Sequence, residues 1–512
     1  MELVLLPLIR FAIGALSMGV GRRSRFLAVL AHLCDAALLA RIALLLARGT
    51  ALDATLGGWA DRVGIGFSGD LIGLPIAALI WGLAVAVSLH TWKDELRAYF
   101  YVLLHFLIGA AYAMVFTEDL FNAYVILELL TLASFLLVGY ERKPRQIWAS
   151  LRYLFLCSVG MSLFLLGIAV VYYHTGTLNL SALAAHVARA PAAPWIPLAA
   201  ALLVGGVAVK AGIFLFSLWL PAAHARAMPA VSALLSGVVI KMGVVELFRL
   251  AGVFPLDLTF TVLGAATGLL GMLYALQTYD MKKLLAFSTL SQIGYLLIGF
   301  GAGSQASRLG ALDYAVAHGL FKALLFLAVG QAVACVGSPD LRALTLNRRT
   351  IPRGTRIAIA VGILGIVGIP PFAGFAAKAV LESGVHSLFV HAMVALISVG
   401  TAASFSKLLP LLSVRSAARC RGATVSAYAW LGGGIALFLP LSATLVPRSI
   451  LSASWHWPAY LEAGLALALG YGIHRILRGR SFRLPQRVFR VEEGTLAVVA
   501  GVLIVFSLLR FA

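Results

Sequence analysis

"VKAGIFLFSLWLP" spans residues 209–221 and is apolar on both sides of one lysine, Lys210. A stretch this apolar belongs in a bilayer, where an ammonium at mid-helix costs about 2.5–3.5 kcal/mol on insertion scales. Such a charge persists only where a counter-charge, a polar neighbour or water compensates for it. Its run, 196–219, is one of about sixteen apolar stretches of roughly 20 residues, each long enough to cross a hydrocarbon core about 30 Å thick. The series begins at 3–20, includes 26–47, 119–139, 229–251, 284–303, 309–335 and 356–381, and ends at 458–474 and 492–511. With 61% hydrophobic and 12% charged residues, the composition excludes a soluble globular protein. The expected fold is an all-α polytopic membrane protein with about 14–16 transmembrane helices. No small-residue cleavage site follows the first run, which therefore reads as a retained helix rather than a signal peptide.

The net charge of +20 is distributed as a topology signal, not as a nucleic-acid surface. Connections after odd-numbered runs are rich in basic residues, such as Arg22, Arg23 and Arg25, then Arg142, Lys143 and Arg145, and the cluster from Arg478 to Arg490. Those after even-numbered runs hold only Arg48, Arg62, Arg189, Arg249, Arg308 and Arg448. Cytoplasmic connections carry the Lys/Arg excess, which predicts a bacterial inner-membrane protein with both termini outside, in the periplasm. The 478–490 cluster is placed to touch anionic lipid. The four cysteines, Cys34, Cys157, Cys335 and Cys420, form no C-x-x-C pair, and no glycine-rich nucleotide motif occurs. No cofactor, metal, redox or hydrolytic site is expected in this chain. Chemistry that needs one would belong to a partner subunit.

Charges deep within apolar runs are few: Glu128, Lys210, Lys241, Lys322, Lys378 and Lys407, with His318 beside Lys322. A lone buried carboxylate or ammonium neutralises itself by shifting its pKa, whereas a facing pair keeps both charged. Buried charges stabilise poorly, so several in one chain point to ion movement. Glu128 is the expected counter-charge of Lys210, in contact directly or through one water. His318 and Lys322 are four apart, hence on one helix face, and histidine exchanges protons near neutral pH. Ser288, Ser291 and Gln292 on the preceding helix extend a polar file. Lys407 lies near a helix end, where it can snorkel; it and His224 are further relay candidates. Glu246 and Arg249, three apart, read as a local ion pair. Asp35 and Arg41, six apart, do not share a face and read as structural or lipid-edge groups.

Two segments carry breaks. "LWLPAAHARAMP" (218–229) places Pro221 and Pro229 around a short polar stretch, and "GIPPFAGFAAK" (368–378) holds Pro370 and Pro371 just before Lys378. Proline breaks the helical ladder, and at membrane depth a break is tolerated where protein or a water-filled cavity satisfies the backbone. Paired interrupted helices are the sequence mark of a transporter built from inverted repeats. The spacings agree, since Lys241 follows Lys210 by 31 residues and Lys407 follows Lys378 by 29.

Taken together, Glu128, Lys210 with "LWLPAAHARAMPAVSALLSGVVIKMG", "YDMKKLLAFSTLSQIGYLLIG", "HGLFKALLFLAVGQ" and "GIPPFAGFAAK" span over half the chain. The sequence resembles the antiporter-like proton-translocating membrane subunits shared by Mrp-type cation/proton antiporters (their D-type component), membrane-bound hydrogenases and respiratory complex I. The resemblance implies two inverted five-helix repeats and a charged axis along the membrane plane. On it, Glu128 and Lys210 match a glutamate–lysine pair, Lys241 a central lysine, His318 and Lys322 bridging groups, and Lys378 the terminal lysine before the exit. The implied organisation is 1–96 N-terminal helices, 97–254 first half, 255–413 second half and 414–512 C-terminal helices. Two departures stand out: Ala222 replaces the usual acidic residue after "LP", and Gln292 stands where complex I members often have histidine. The second is similar to the Mrp D and hydrogenase branches. The function implied is a proton-conducting subunit coupled to cation exchange or to a partner's reaction, among other membrane subunits and a soluble catalytic one, with protons or sodium as cargo. The alternatives are a subunit energising inorganic-carbon uptake with a soluble partner and a stand-alone channel or carrier. The deep polar residues form one titratable series without a pocket for an organic ligand, which speaks against the last.

Overall fold

The computed structural model describes residues 1–58, 64–70, 73–217, 219–343, 351–414, 425–445, 457–477 and 491–511, without the side chains of 22, 436–445, 491 and 511. The 478–490 cluster, with its expected lipid contact, lies outside the described residues. The protein is an all-α polytopic membrane protein: among the described residues, twelve helices are long and apolar enough to cross a bilayer. The chain forms two compact units, one made of Met1–Trp219, Val238–Thr259 and Phe489–Ala512, the other of Leu220–Gly237 and Phe260–Val488.

The first unit holds α1 (Glu2–Val20), α2 (Ser24–Ala47), α3 (Gly73–His90), α4 (Ala98–Phe116), α5 (Leu120–Val138), α6 (Pro144–Thr175), the short α7 (Leu180–Arg189) and α8 (Trp195–Ala211). A hairpin of β1 (Leu52–Leu56) and β2 (Ile65–Gly69) lies in the α2–α3 connection, pairing Ala54 with Phe67 and Leu56 with Ile65. Phe67 bridges to Thr117 at the end of α4, and Asp119 bridges to Asn179 ahead of α7. The hairpin and α7 therefore lie over one end of this unit. Asp119 also caps α5, its carboxylate accepting from Asn122 N at 2.7 Å, which satisfies an otherwise orphaned donor.

The second unit holds α9 (Leu220–Arg226), the first turns of α10 (Pro229–Ala251), and α11 (Asp257–Gln277) from Phe260 onward. It continues through α12 (Met281–Gly301), α13 (Gln305–Val336), α14 (Arg353–Val367), α15 (Ala373–Ser383), α16 (Leu388–Ser406), α17 (Val425–Leu445) and α18 (Trp457–Leu477). The last helix, α19 (Val491–Phe511), belongs to the first unit and packs along α8 and α6.

Both breaks begin one step earlier than the prolines suggest. α8 stops at Ala211 because Gly212 turns left-handed, φ 72°, a conformation that costs glycine least. Pro221 falls in the first turn of α9 and Pro229 opens α10, positions where a missing amide hydrogen breaks no intrahelical bond. In the second unit α14 stops at the left-handed Gly368, φ 86°, and Pro370 and Pro371 occupy the gap before α15. Within α10, a single π-helical turn at Leu235–Val239 precedes Lys241; such turns recur where a helix is locally re-aimed at a functional group.

Candidate functional site

In the first unit Lys210 is the penultimate residue of α8, next to the break, and is 1% exposed. Its Nζ lies 3.9 Å from Glu128 Oε1 on α5. It also donates to Thr131 Oγ1 and approaches the Leu127 carbonyl at 3.4 Å. Glu128 and Thr131 are three apart and share the helix face that meets the lysine. The break itself is tied down from the same side: Trp219 Nε1 donates to Val209 O at 2.9 Å, and its indole lies 4.2 Å from the Tyr153 ring. Tyr153 OH is 2.8 Å from Ser134 Oγ. Glu128 thus keeps its counter-charge at contact distance while the lysine has neutral oxygens to hold it if the glutamate takes up a proton. Lys241, in the same unit, is 1% exposed.

A second buried network in this unit gives Asp35 a partner that the sequence reading did not name. Asp35 pairs with Arg10 of α1, not with Arg41, and both side chains are fully buried. Arg10 Nε and Nη2 donate to Asp35 Oδ2 at 2.9 and 2.5 Å, and Tyr112 OH donates to the same oxygen at 2.6 Å. Arg10 Nη1 and Nη2 also reach His105 Nδ1 at 3.1 Å and His32 Nδ1 at 2.8 Å. Arginine only donates, so both Nδ1 atoms accept, both rings carry their proton on Nε2, and both histidines are neutral. His32 Nε2–H then donates to Ser88 Oγ at 2.9 Å. Arg41 instead binds Glu2 at 2.8 Å.

The expected Glu246–Arg249 ion pair does not form among the described residues. Arg249 donates to the last carbonyls of α4, Met114 O at 2.9 Å and Val115 O, which attract a guanidinium because they lack intrahelical partners. Glu246 is completely buried, and neither of its oxygens has a hydrogen-bond partner among the described residues.

In the second unit His318 and Lys322 are fully buried one turn apart on α13. Lys322 Nζ donates to Ser288 Oγ at 2.5 Å and to Leu285 O at 2.8 Å. Gln292 belongs to a neighbouring cluster: it accepts from Tyr314 OH and donates to Thr401 Oγ1 at 2.9 Å. The Ser291 hydroxyl has no partner among the described residues. Lys378 lies over the rings of Tyr295 and Tyr314, at 5.3 and 5.7 Å, a cation–π cradle, and donates to Val367 O at 3.3 Å beside the break. Tyr295 OH donates to Glu382 Oε1 at 2.6 Å. Glu382, four residues after Lys378 and so on its face, is absent from the sequence-based candidates, although the "KAVLE" spacing announces it. Lys407 Nζ donates to Ala275 O, Leu276 O and Thr278 O at 2.6, 2.8 and 2.8 Å. All three ammonium protons are engaged at the C-terminal end of α11, which is the geometry of a helix C-cap rather than of a mobile relay. His224 is buried, stacked on Phe326 at 4.7 Å, and neither ring nitrogen has a hydrogen-bond partner among the described residues.

Residues 117–404 match the family described as NADH:quinone oxidoreductase/Mrp antiporter, TM. The chain is 30% identical over 363 residues to the D component of the Na(+)/H(+) antiporter of Alkalihalophilus pseudofirmus, covering 69% of this chain and 73% of that one. It is 31% identical over 355 residues to the N component of the NADH-quinone oxidoreductase of Desulforudis audaxviator, covering 66% and 70%. In fold it is similar to a chain of the Mrp complex from Dietzia sp., with a TM-score of 0.80 at 23% identity, over 98% of this chain and 60% of that one.

Proposed function

We propose that this chain, which belongs to the NADH:quinone oxidoreductase/Mrp antiporter membrane family, moves protons through its two units by way of the buried groups described above. It is an Mrp antiporter D-like subunit of a multi-subunit membrane complex, so its partners are other membrane subunits. The observation that carries the proton reading is the Glu128–Lys210 pair, 3.9 Å apart beside a broken helix. Two opposite charges at this depth contribute little net stability, so the pair is better explained by a part in ion movement than by packing. Protonating Glu128 weakens the hold on the Lys210 ammonium, and Lys241 is the next buried base of the same unit. In the second unit Lys322 with His318, and Lys378 over its two tyrosines, provide the carriers, and Glu382 lies beyond them. The basic-residue placement supports a bacterial plasma-membrane location with both termini and the hairpin end outside. Sodium is the exchanged cation we favour, on the name of the Alkalihalophilus relative.

Several features support reading residues 97–254 and 255–413 as repeats. Asp119 caps α5 and bridges to Asn179, as Asp280 caps α12 and bridges to Asp340, each partner in the second set 161 residues after its counterpart. The helices α6 and α13 that follow are both 32 residues long and both end on a left-handed glycine, Gly176 and Gly337.

The experiment is transport in membrane vesicles holding the whole complex with Lys378 replaced. Lys378→Met fills the cradle without a titratable group and is expected to block proton movement; Lys378→Glu keeps part of it. Normal transport by the methionine variant would remove Lys378 from the pathway.

A further inference from the structure

We propose that Glu246 is a proton-carrying group in an outlet of the first unit that runs from Lys241, past Arg249, to Glu118 at the hairpin end. The inference rests on the reading of Lys241 as a proton carrier. Its groups follow one another along one helix and the loop beside it. Glu246 stands one and a half turns beyond Lys241 on α10, about 7.5 Å along the axis, and Arg249 one turn further. Arg249 is anchored on Met114 O and Val115 O, and two residues beyond the end of α4 comes Glu118. The Glu118 carboxylate accepts weakly from Ser181 Oγ at 3.5 Å, and its backbone N–H binds Gly66 O of the hairpin at 2.8 Å. Burial raises the Glu118 carboxyl above its ordinary range, Arg249 opposes the shift, and Asp70 and Asp53 add to it. Burial likewise raises Asp119.

An acidic rim alone would be a solvated surface. Here it leads to a carboxyl that is completely buried and has no hydrogen-bond partner among the described residues. An isolated buried carboxylate is too costly to persist, so such a group holds a proton until a neighbour changes. Arg249 stands three residues further along the same helix, and Glu118 follows the α4 carbonyls that hold its guanidinium. The other helices packed here, α8 and α5, carry Lys210 and Glu128. α8 comes very close, since a Cβ on Gly243 would stand 2.6 Å from Ala211 N.

The chemistry requires only water as co-reactant. Once Glu246 has given up the proton it holds, the Lys241 ammonium gives a proton to water, and the Glu246 carboxylate takes one from the same chain of waters. Lysine becomes the neutral amine and glutamate the neutral acid. Because the two residues do not share a helix face, the transfer runs around the helix through that water rather than by direct contact. Glu246 then releases its proton toward Glu118 through water, with the Arg249 guanidinium, held at the α4 carbonyls, favouring the carboxylate left behind.

The test uses the whole complex in vesicles. Glu246→Gln preserves shape and is expected to slow proton movement about 100-fold, the low end of what a positioned proton carrier contributes, and to flatten the pH profile. Glu246→Asp should restore most of the rate. Infrared difference spectra of the same complexes should show a protonated-carboxyl carbonyl band that is absent in Glu246→Gln and retained in Glu246→Asp. Wild-type rate and pH profile in Glu246→Gln, or an unchanged carboxyl band, overturns the outlet. If Lys241→Ala loses transport while Glu246→Gln keeps it, the relay reading stands and only the outlet fails.

Discussion

Lys241→Ala is expected to abolish coupled proton movement while the chain inserts and assembles normally. Lys241 is buried in the first unit immediately after a π-helical turn. Insertion of an ammonium at this depth carries a cost of about 2.5–3.5 kcal/mol, which alanine removes, so folding into the membrane should not suffer from losing the charge. The lost volume is the confounding effect, because deleting buried methylenes leaves a cavity. Lys241→Met answers it, keeping the unbranched stem without a titratable group. Both variants should assemble with the complex and both should read at background in a vesicle proton-uptake assay. Wild-type uptake in either would show that the central carrier has been misassigned.

The second large effect is on stability rather than transport. Arg10→Leu strips Asp35 of its counter-charge and leaves His32 and His105 without the donor that both Nδ1 atoms now accept. Breaking one partner out of a buried pair costs about 3–5 kcal/mol, a large fraction of what holds a typical domain together. The complex carrying Arg10→Leu should lose this subunit or unfold at a clearly lower temperature in detergent. Adding Asp35→Leu should recover much of the loss, since replacing a whole buried pair by apolar groups is often neutral. An unchanged unfolding temperature in the single variant, or no recovery in the double, would show that the network does not hold α1, α2 and α4 together.

The sequence makes some of this legible and conceals the rest for physical reasons. Apolar length alone locates the helices, because a bilayer imposes a minimum span on each of them. Glu128 and Lys210 can be paired without coordinates because each is too costly alone. The same argument applies to Asp35, whose cost is plain; the six-residue spacing rules out Arg41 as a facing partner, but nothing in the pattern names Arg10, in the middle of the preceding apolar run, as the one that takes its place. The Glu246–Arg249 spacing suggests a local pair, but the free carbonyls ending α4 compete for the guanidinium, and no pattern within α10 reports what the end of α4 offers. Lys407 shows the same blindness, since its acceptors are backbone carbonyls of another helix. The hairpin is readable in principle from the alternation of Leu52, Ala54 and Leu56 before Gly57 and Gly58, but it is too short and too polar for a search by apolar length. The sequence points to Pro221 as the break after Lys210, whereas Gly212 makes it: proline forbids a conformation, glycine merely permits one, and only coordinates tell which glycine uses its freedom.

In the proposed pathway Glu128 and Lys210, 3.9 Å apart, exchange control of a proton, and every other step depends on that exchange. The direct measurement is proton uptake into vesicles holding the whole complex, followed with an internal pH-sensitive dye, in wild type and in Glu128→Gln. Glutamine keeps the shape of the side chain and removes both its charge and its ability to bind a proton. The variant is expected to assemble, with its uptake falling to the background of vesicles lacking the complex; uptake at the wild-type rate would contradict the exchange.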